Sequence, residues 1–219
     1  MKKPSSSPQG FTLIELVVVV MLIGLVTGFV VPAVNGFGRS SALNSAGNAV
    51  VNLANFAREE AMTKNTMTAL LVLANQGTDD DYRAVTVLEY DPVTGWGQTT
   101  AWEKLPVGIM VESSDTTNCS FLLNSPKPFP FLTKFAGQNN PPVSYQGQQV
   151  ASSGGYVARL FLSNGSLQNP EEPAQLRLVQ GIRQNQSQVY TNPGSSGKPA
   201  NYYDIVILGT TGTTKIVRP

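Results

Sequence analysis

Histidine is missing from all 219 residues, which removes Ser-His-Asp and Cys-His nucleophile sites and every histidine-ligated metal site. Cysteine is nearly missing. The single Cys119 has no partner for an internal disulfide and reads as a small buried hydrophobe. Charge is sparse at 13% of residues, and 15 Lys and Arg against 14 Asp and Glu leave no basic excess for a nucleic-acid backbone. Walker loops, dinucleotide fingerprints and tandem repeats are also lacking. What is abundant is Gly (20), Pro (15) and a 41% share of hydrophobic residues, a balance that suits an exported, loop-rich β domain.

The hydrophobic share is unevenly distributed. Residues 1–10, MKKPSSSPQG, are polar with two lysines. Residues 11–34, FTLIELVVVVMLIGLVTGFVVPAV, are apolar except for Thr12, Glu15 and Thr27. As a helix, this run extends ~36 Å at ~1.5 Å per residue, enough for a ~30 Å hydrocarbon layer. A secretory signal has a shorter apolar region with its cleavage site on the far side. Here the small residue that marks a cut, Gly10, stands on the near side, so cleavage retains the apolar helix. Lys2 and Lys3 hold the leader in the cytoplasm and direct the remaining chain outward. Glu15 is then an acid at the edge of hydrocarbon, where an unpaired carboxylate costs several kcal/mol or takes up a proton. It needs a partner.

Gly10-Phe11-Thr12-Leu13-Ile14-Glu15 followed by an apolar run resembles the class III prepilin signal of type IV pilins and type II secretion pseudopilins. The resemblance covers roughly the first sixty residues. It implies that a membrane prepilin peptidase cuts after Gly10 and that Phe11 becomes the N-methylated first residue. It further implies that Glu15 of one subunit pairs with the Phe11 amine of the next, setting the register of a filament. At ~4 Å and an effective dielectric of ~20, such a pair gains ~4 kcal/mol before desolvation. Pro32 falls where many family members also have proline. It removes one helical hydrogen bond and, with Asn35, Gly36 and Gly38, weakens the helix over residues 28–38. Gly24 and Gly28 form a G-x-x-x-G that lets helices approach closely.

After Gly38 the pattern becomes one-faced. Leu43, Ala46, Val50, Leu53, Ala57 and Ala61 recur at helical steps, and the helix is expected to end near Lys64 and Asn65. The stretch NLANFAREEAMTKNTMTALLV resembles the helix-to-strand junction of H-type minor pseudopilins. Strand signals follow at 66–74, 82–90, 99–105, 107–112, 119–123, 156–163, 174–181 and 203–209. Asn-Gly within residues 163–166 and Gly-Thr-Thr-Gly at 209–212 read as hairpin turns. Residues 124–155 and 184–201 read as long loops. Trp96 and Trp102 flank a Gly-rich turn and are expected to pack on the sheet and its edge. Asp79, Asp80 and Asp81 could bind calcium, but with no spaced second carboxylate cluster they read as a solvated acidic loop.

The expected architecture is α+β, a long N-terminal helix packed on an antiparallel β domain. The parts are a leader at 1–10, a transmembrane half-helix at 11–38, an amphipathic half at 39–65 and a globular domain at 66–219. The resemblance implies a non-enzymatic subunit without cofactors, anchored in a bacterial inner membrane with its C-terminal domain outside the cytoplasm. Its partners would be the peptidase, other pseudopilin or pilin subunits, and an inner-membrane platform with its ATPase, with no nucleic acid. A minor pseudopilin of type II secretion is the first reading. A type IV pilin for adhesion, motility or DNA uptake is the second, and a membrane-tethered hydrolase a remote third.

Overall fold

The computed structural model describes residues 12–114, 119–121, 143–150 and 155–218, with residues 26–39 by their backbone alone. Helix α1 covers Leu13–Thr63, and the chain divides between Ser41 and Ala42 into two compact units. In the first unit the described side chains from Leu13 to Leu25 are exposed all round the helix. In the second, α1 buries Leu43, Ala46, Val50, Ala54, Ala57 and Ala61 in the main core. Leu53, expected in that stripe, is only half-buried, and Ala54 takes its place. At about 100° of turn per residue, position 54 lies nearer the centre of the stripe than position 53 does. The helix ends with Asn65 in the left-handed region (φ 50°), and the Thr66 N–H closes back on the Ala61 carbonyl.

The strands are β1 (Thr68–Leu73), β2 (Ala84–Asp91), β3 (Gly95–Gln98), β4 (Glu103–Lys104), β5 (Ile109–Val111), β6 (Ser144–Tyr145), β7 (Gln148–Gln149), β8 (Tyr156–Phe161), β9 (Ala174–Gln184), β10 (Ser187–Tyr190), β11 (Tyr202–Ile207) and β12 (Thr214–Val217). One sheet has the order β3-β2-β1-β8, with β4 also on β2; the other has the order β10-β9-β11-β12, with β5 also on β9. Every pairing among the described strands is antiparallel. Strand β1 is buried along its whole length because it serves two cores. Leu70 and Val72 face the helix, whereas Ala69, Leu71 and Leu73 face a second cluster with Trp96, Val143, Tyr145 and Tyr156. A strand covered on both faces reads as a continuous apolar run, which is why TALLVL lacks alternation.

Several sequence expectations change here. Trp96, expected beside a Gly-rich turn, lies within strand β3, and the strand expected at 99–105 shrinks to the two residues of β4. The loop expected at 184–201 holds β10, joined to β9 by Asn185 and Gln186, both at positive φ. The loop at 124–155 holds the β6–β7 hairpin, turned by Gln146 and Gly147, again both at positive φ. Two central residues at positive φ are the mark of the type I′ hairpin turn, which matches the twist of its strands. Residues 119–121, expected to begin a strand, form none, although the Phe121 N–H donates to the Gln175 carbonyl at 2.8 Å. Cys119 is fully buried and accepts the Arg177 N–H at 3.5 Å, as expected of a small core residue.

Helix and sheet come close together at Gly47. A Cβ there would lie 2.4 Å from the ring of Tyr203, which is fully buried and donates its hydroxyl to Asn48 Oδ1 at 3.2 Å. An alanine gains about 1 kcal/mol of helix propensity over glycine, but forcing a methyl group into a rigid ring costs about 1–3 kcal/mol. Gly47→Ala is expected to lower the unfolding temperature, and Gly47→Ala combined with Tyr203→Leu to lose less than the sum of the two single changes. Thermal melts of the detergent-extracted protein check both.

Candidate functional site

The sequence singles out the beginning of α1. Thr12 stands just before the first helical residue and Glu15 is in the first turn. The backbone N–H and the hydroxyl of Thr12 both donate to Glu15 Oε2 at 2.8 Å, and the Glu15 N–H reaches back to Thr12 Oγ1 at 3.4 Å. This reciprocal pair is a capping box, which satisfies donors that a helix end otherwise leaves open. This local partner, Thr12, is not among the partners expected for Glu15, although Thr-x-x-Glu at 12–15 carries its signal. A carboxylate at the helix start also lies favourably in the helix dipole.

Around this cap the helix is apolar and exposed: Leu13 is 82% and Met21 72% accessible. Gly24 has open space where a Cβ would stand. Gly28 and Pro32 lie within the helical backbone, while Gly10 and Phe11 fall outside the described residues. Among the described residues no helix is long and apolar enough to cross a membrane. The apolar run of the sequence extends from Phe11 to Val34, beyond the side chains described.

The three aspartates of the 75–81 loop go separate ways. Asp81 is fully buried and accepts the N–H groups of Gln76 and Gly77 at 3.0 Å and the Thr78 hydroxyl at 3.2 Å, so it closes the turn. The loop is therefore not the solvated acidic loop expected from sequence. Asp80 is ion-paired with Lys104 at 2.7 Å and accepts the Tyr145 hydroxyl at 2.5 Å. Asp79 remains exposed. Among the described residues no three Cys, Asp or Glu side chains gather as a metal site would require.

Asp80 fastens the β6–β7 hairpin over the outer face of the first sheet. Trp102 joins in, donating its indole N–H to the Ser144 carbonyl at 2.8 Å and meeting the Tyr145 ring edge-on. Burial alone would raise the Asp80 pKa, but hydrogen bonds from Lys104 and Tyr145 and the charges of Lys104 and Arg83 outweigh it, holding the carboxyl below its usual range. A carboxyl depressed in the folded state stabilises above its unfolded pKa, about 4, and that contribution is lost as pH falls through the folded value. Trp102 fluorescence is thus expected to report loosening of the hairpin below about pH 4. Asp80→Asn should weaken the hairpin at neutral pH and flatten that acid dependence.

Residues 6–31 match the family model described as the prokaryotic N-terminal methylation motif. No curated protein sequence matches the chain. Among solved structures, it is similar to the minor pseudopilin EpsH from the type 2 secretion system of Vibrio cholerae, at 14% identity and a TM-score of 0.42, over 81% of this chain and 97% of that one. It is also similar to the type IV minor pilin FimU of Pseudomonas aeruginosa, at 13% identity and a TM-score of 0.40, over 84% of this chain and 96% of that one.

Proposed function

We propose that this chain, with its N-terminus of the methylation-motif type, is a precursor subunit of a pilus-like filament that works mechanically rather than catalytically. The observation that carries the reading is the motif at 6–31 together with the Gly10-Phe11 junction and the acid at Glu15. A prepilin peptidase would remove residues 1–10 and methylate the new Phe11 amine. The retained apolar helix would hold the subunit in the inner membrane until a platform and its ATPase extract it. In the unassembled chain Glu15 is held by its own Thr12. On assembly the carboxylate would exchange those hydrogen bonds for the cationic Phe11 amine of a neighbour. An acid satisfied at each stage never has to enter hydrocarbon unpaired.

For the system served, we propose a type II secretion pseudopilus, with the chain a minor pseudopilin. The stretch from Asn52 to Val72, which resembles H-type pseudopilins, supports this choice. Deleting the gene in the native host tests it. Loss of exported enzymes from the medium with motility and DNA uptake intact is the expected result. Intact export with lost motility or DNA uptake would instead assign the chain to a type IV pilus.

A further inference from the structure

Val107 is 88%, Ile182 46% and Val189 42% accessible. Singly such residues are ordinary, but Val107 and Ile182 line one cavity. Val189 lies directly opposite Ile182 in the β9–β10 pair, and the Gly181 N–H donates to the carbonyl of Gly108 at 2.9 Å. The cavity, of about 230 Å³, is also lined by Asp79, Arg83, Gly108, Gly181 and Arg183. Nothing lies within 4 Å of where a Gly108 Cβ would stand, so the backbone there is open to an approaching chain. The volume falls below the ~300 Å³ at which small-molecule pockets begin and suits one or two side chains.

The walls carry excess positive charge. Arg83 donates to the carbonyls of Asp79 at 3.4 Å and Leu105 at 3.2 Å, and lies 3.7 Å from Asp80, a carboxylate already matched by Lys104 at 2.7 Å. Its Nε is buried without an acceptor. Arg183 stacks over the Tyr82 ring at 4.9 Å and donates to the Gln186 carbonyl at 2.8 Å; among the described residues it makes no ion pair. Asp79 is the only carboxylate against these two guanidinium groups in the lining.

We infer that this cleft receives a segment of a neighbouring filament subunit that presents a carboxylate beside an apolar side chain. The carboxylate would pair with Arg183 at the rim, where a planar guanidinium recognises it bidentately. The apolar side chain would cover Val107 and Ile182. The inference rests on the reading of the chain as a filament subunit.

The test uses the full-length protein in its native host, with Val107 replaced by photoreactive p-benzoylphenylalanine. Filament incorporation is measured on the same samples. Irradiation is expected to join the chain to another filament subunit, at a segment containing Asp or Glu next to an apolar residue. Arg183→Glu should lower the yield about tenfold, since like charges are then opposed. Arg183→Lys, which keeps the charge but not the bidentate fork, should fall between that variant and the unaltered chain, and an Arg in place of the mapped acid should restore the yield of Arg183→Glu. Normal incorporation without an adduct, an adduct insensitive to Arg183→Glu, or a mapped segment without a carboxylate would each overturn the inference alone. Absence of the unaltered chain from filaments would overturn the subunit reading with it.

Discussion

A chain carrying Glu15→Leu is expected to be cleaved, to stay in the membrane and to be missing from filaments. Removing the acid makes the helix more apolar, by as much as ~3 kcal/mol on insertion scales, so anchoring does not suffer. Cleavage continues because recognition by the peptidase is assigned to Gly10. What fails is incorporation, since the neighbour's Phe11 amine enters apolar surroundings without its counter-ion, and an uncompensated buried charge costs about 3–5 kcal/mol. The capping box separates this loss from a weakened helix start. Thr12→Val removes the hydroxyl bonded to Glu15 but leaves the carboxylate in place. A lost cap costs about 1 kcal/mol, so this variant should assemble with at most a several-fold reduction. Glu15→Asp keeps the charge with a shorter reach and should assemble in part. Cross-linking of sheared filaments, with mass analysis of the membrane fraction, distinguishes these outcomes. Normal filament content for Glu15→Leu would remove the acid from any part in setting register.

The largest loss of stability is expected from Asp204→Ala. Asp204 on β11 stands directly opposite Arg177 on β9, and the guanidinium holds both carboxylate oxygens at 2.7 Å. Gln175 donates to the same carboxylate at 3.0 Å, and the Arg177 guanidinium stacks over Tyr202 at 3.8 Å. Both side chains are largely buried, at 12% and 5% accessible. Removing the acid strands the guanidinium, a change that costs about 3–5 kcal/mol. Small domains have about 5–15 kcal/mol in total, so a fall of roughly 10 °C in melting temperature is expected. Pairing Asp204→Leu with Arg177→Met removes both charges and should recover most of it. A single variant as stable as the double one would show that the pair contributes little.

The N-terminal segment was legible because its chemistry is local: leader charge, glycine, aromatic, acid and apolar run lie within 34 residues. The strongest strands were legible for the same reason, since runs such as TALLVL and YRAVTVLEY carry their own signal. Strands β6, β7 and β10 were not, being two to four residues long and largely polar. Their hairpins turn on Gln146-Gly147 and Asn185-Gln186, of which only the first contains the glycine that usually announces such a turn. The burial of Asp81 was likewise hidden. Three adjacent acids look solvated until the loop folds its own N–H groups around one of them. The Arg83–Arg183 cleft joins residues a hundred positions apart, so only the sheet topology brings them together.

Cleavage after Gly10 is what most directly distinguishes a filament subunit from any other membrane-anchored chain. Intact-mass analysis of the protein extracted from membranes of its native host reads it in one measurement. The expected mass is that of 209 residues, 219 less the ten of the leader, beginning at Phe11 and carrying one additional methyl group. A Gly10→Leu variant should instead retain the leader and accumulate as precursor. A wild-type chain that still begins at Met1, or one that loses its whole apolar run, would contradict the filament-subunit reading.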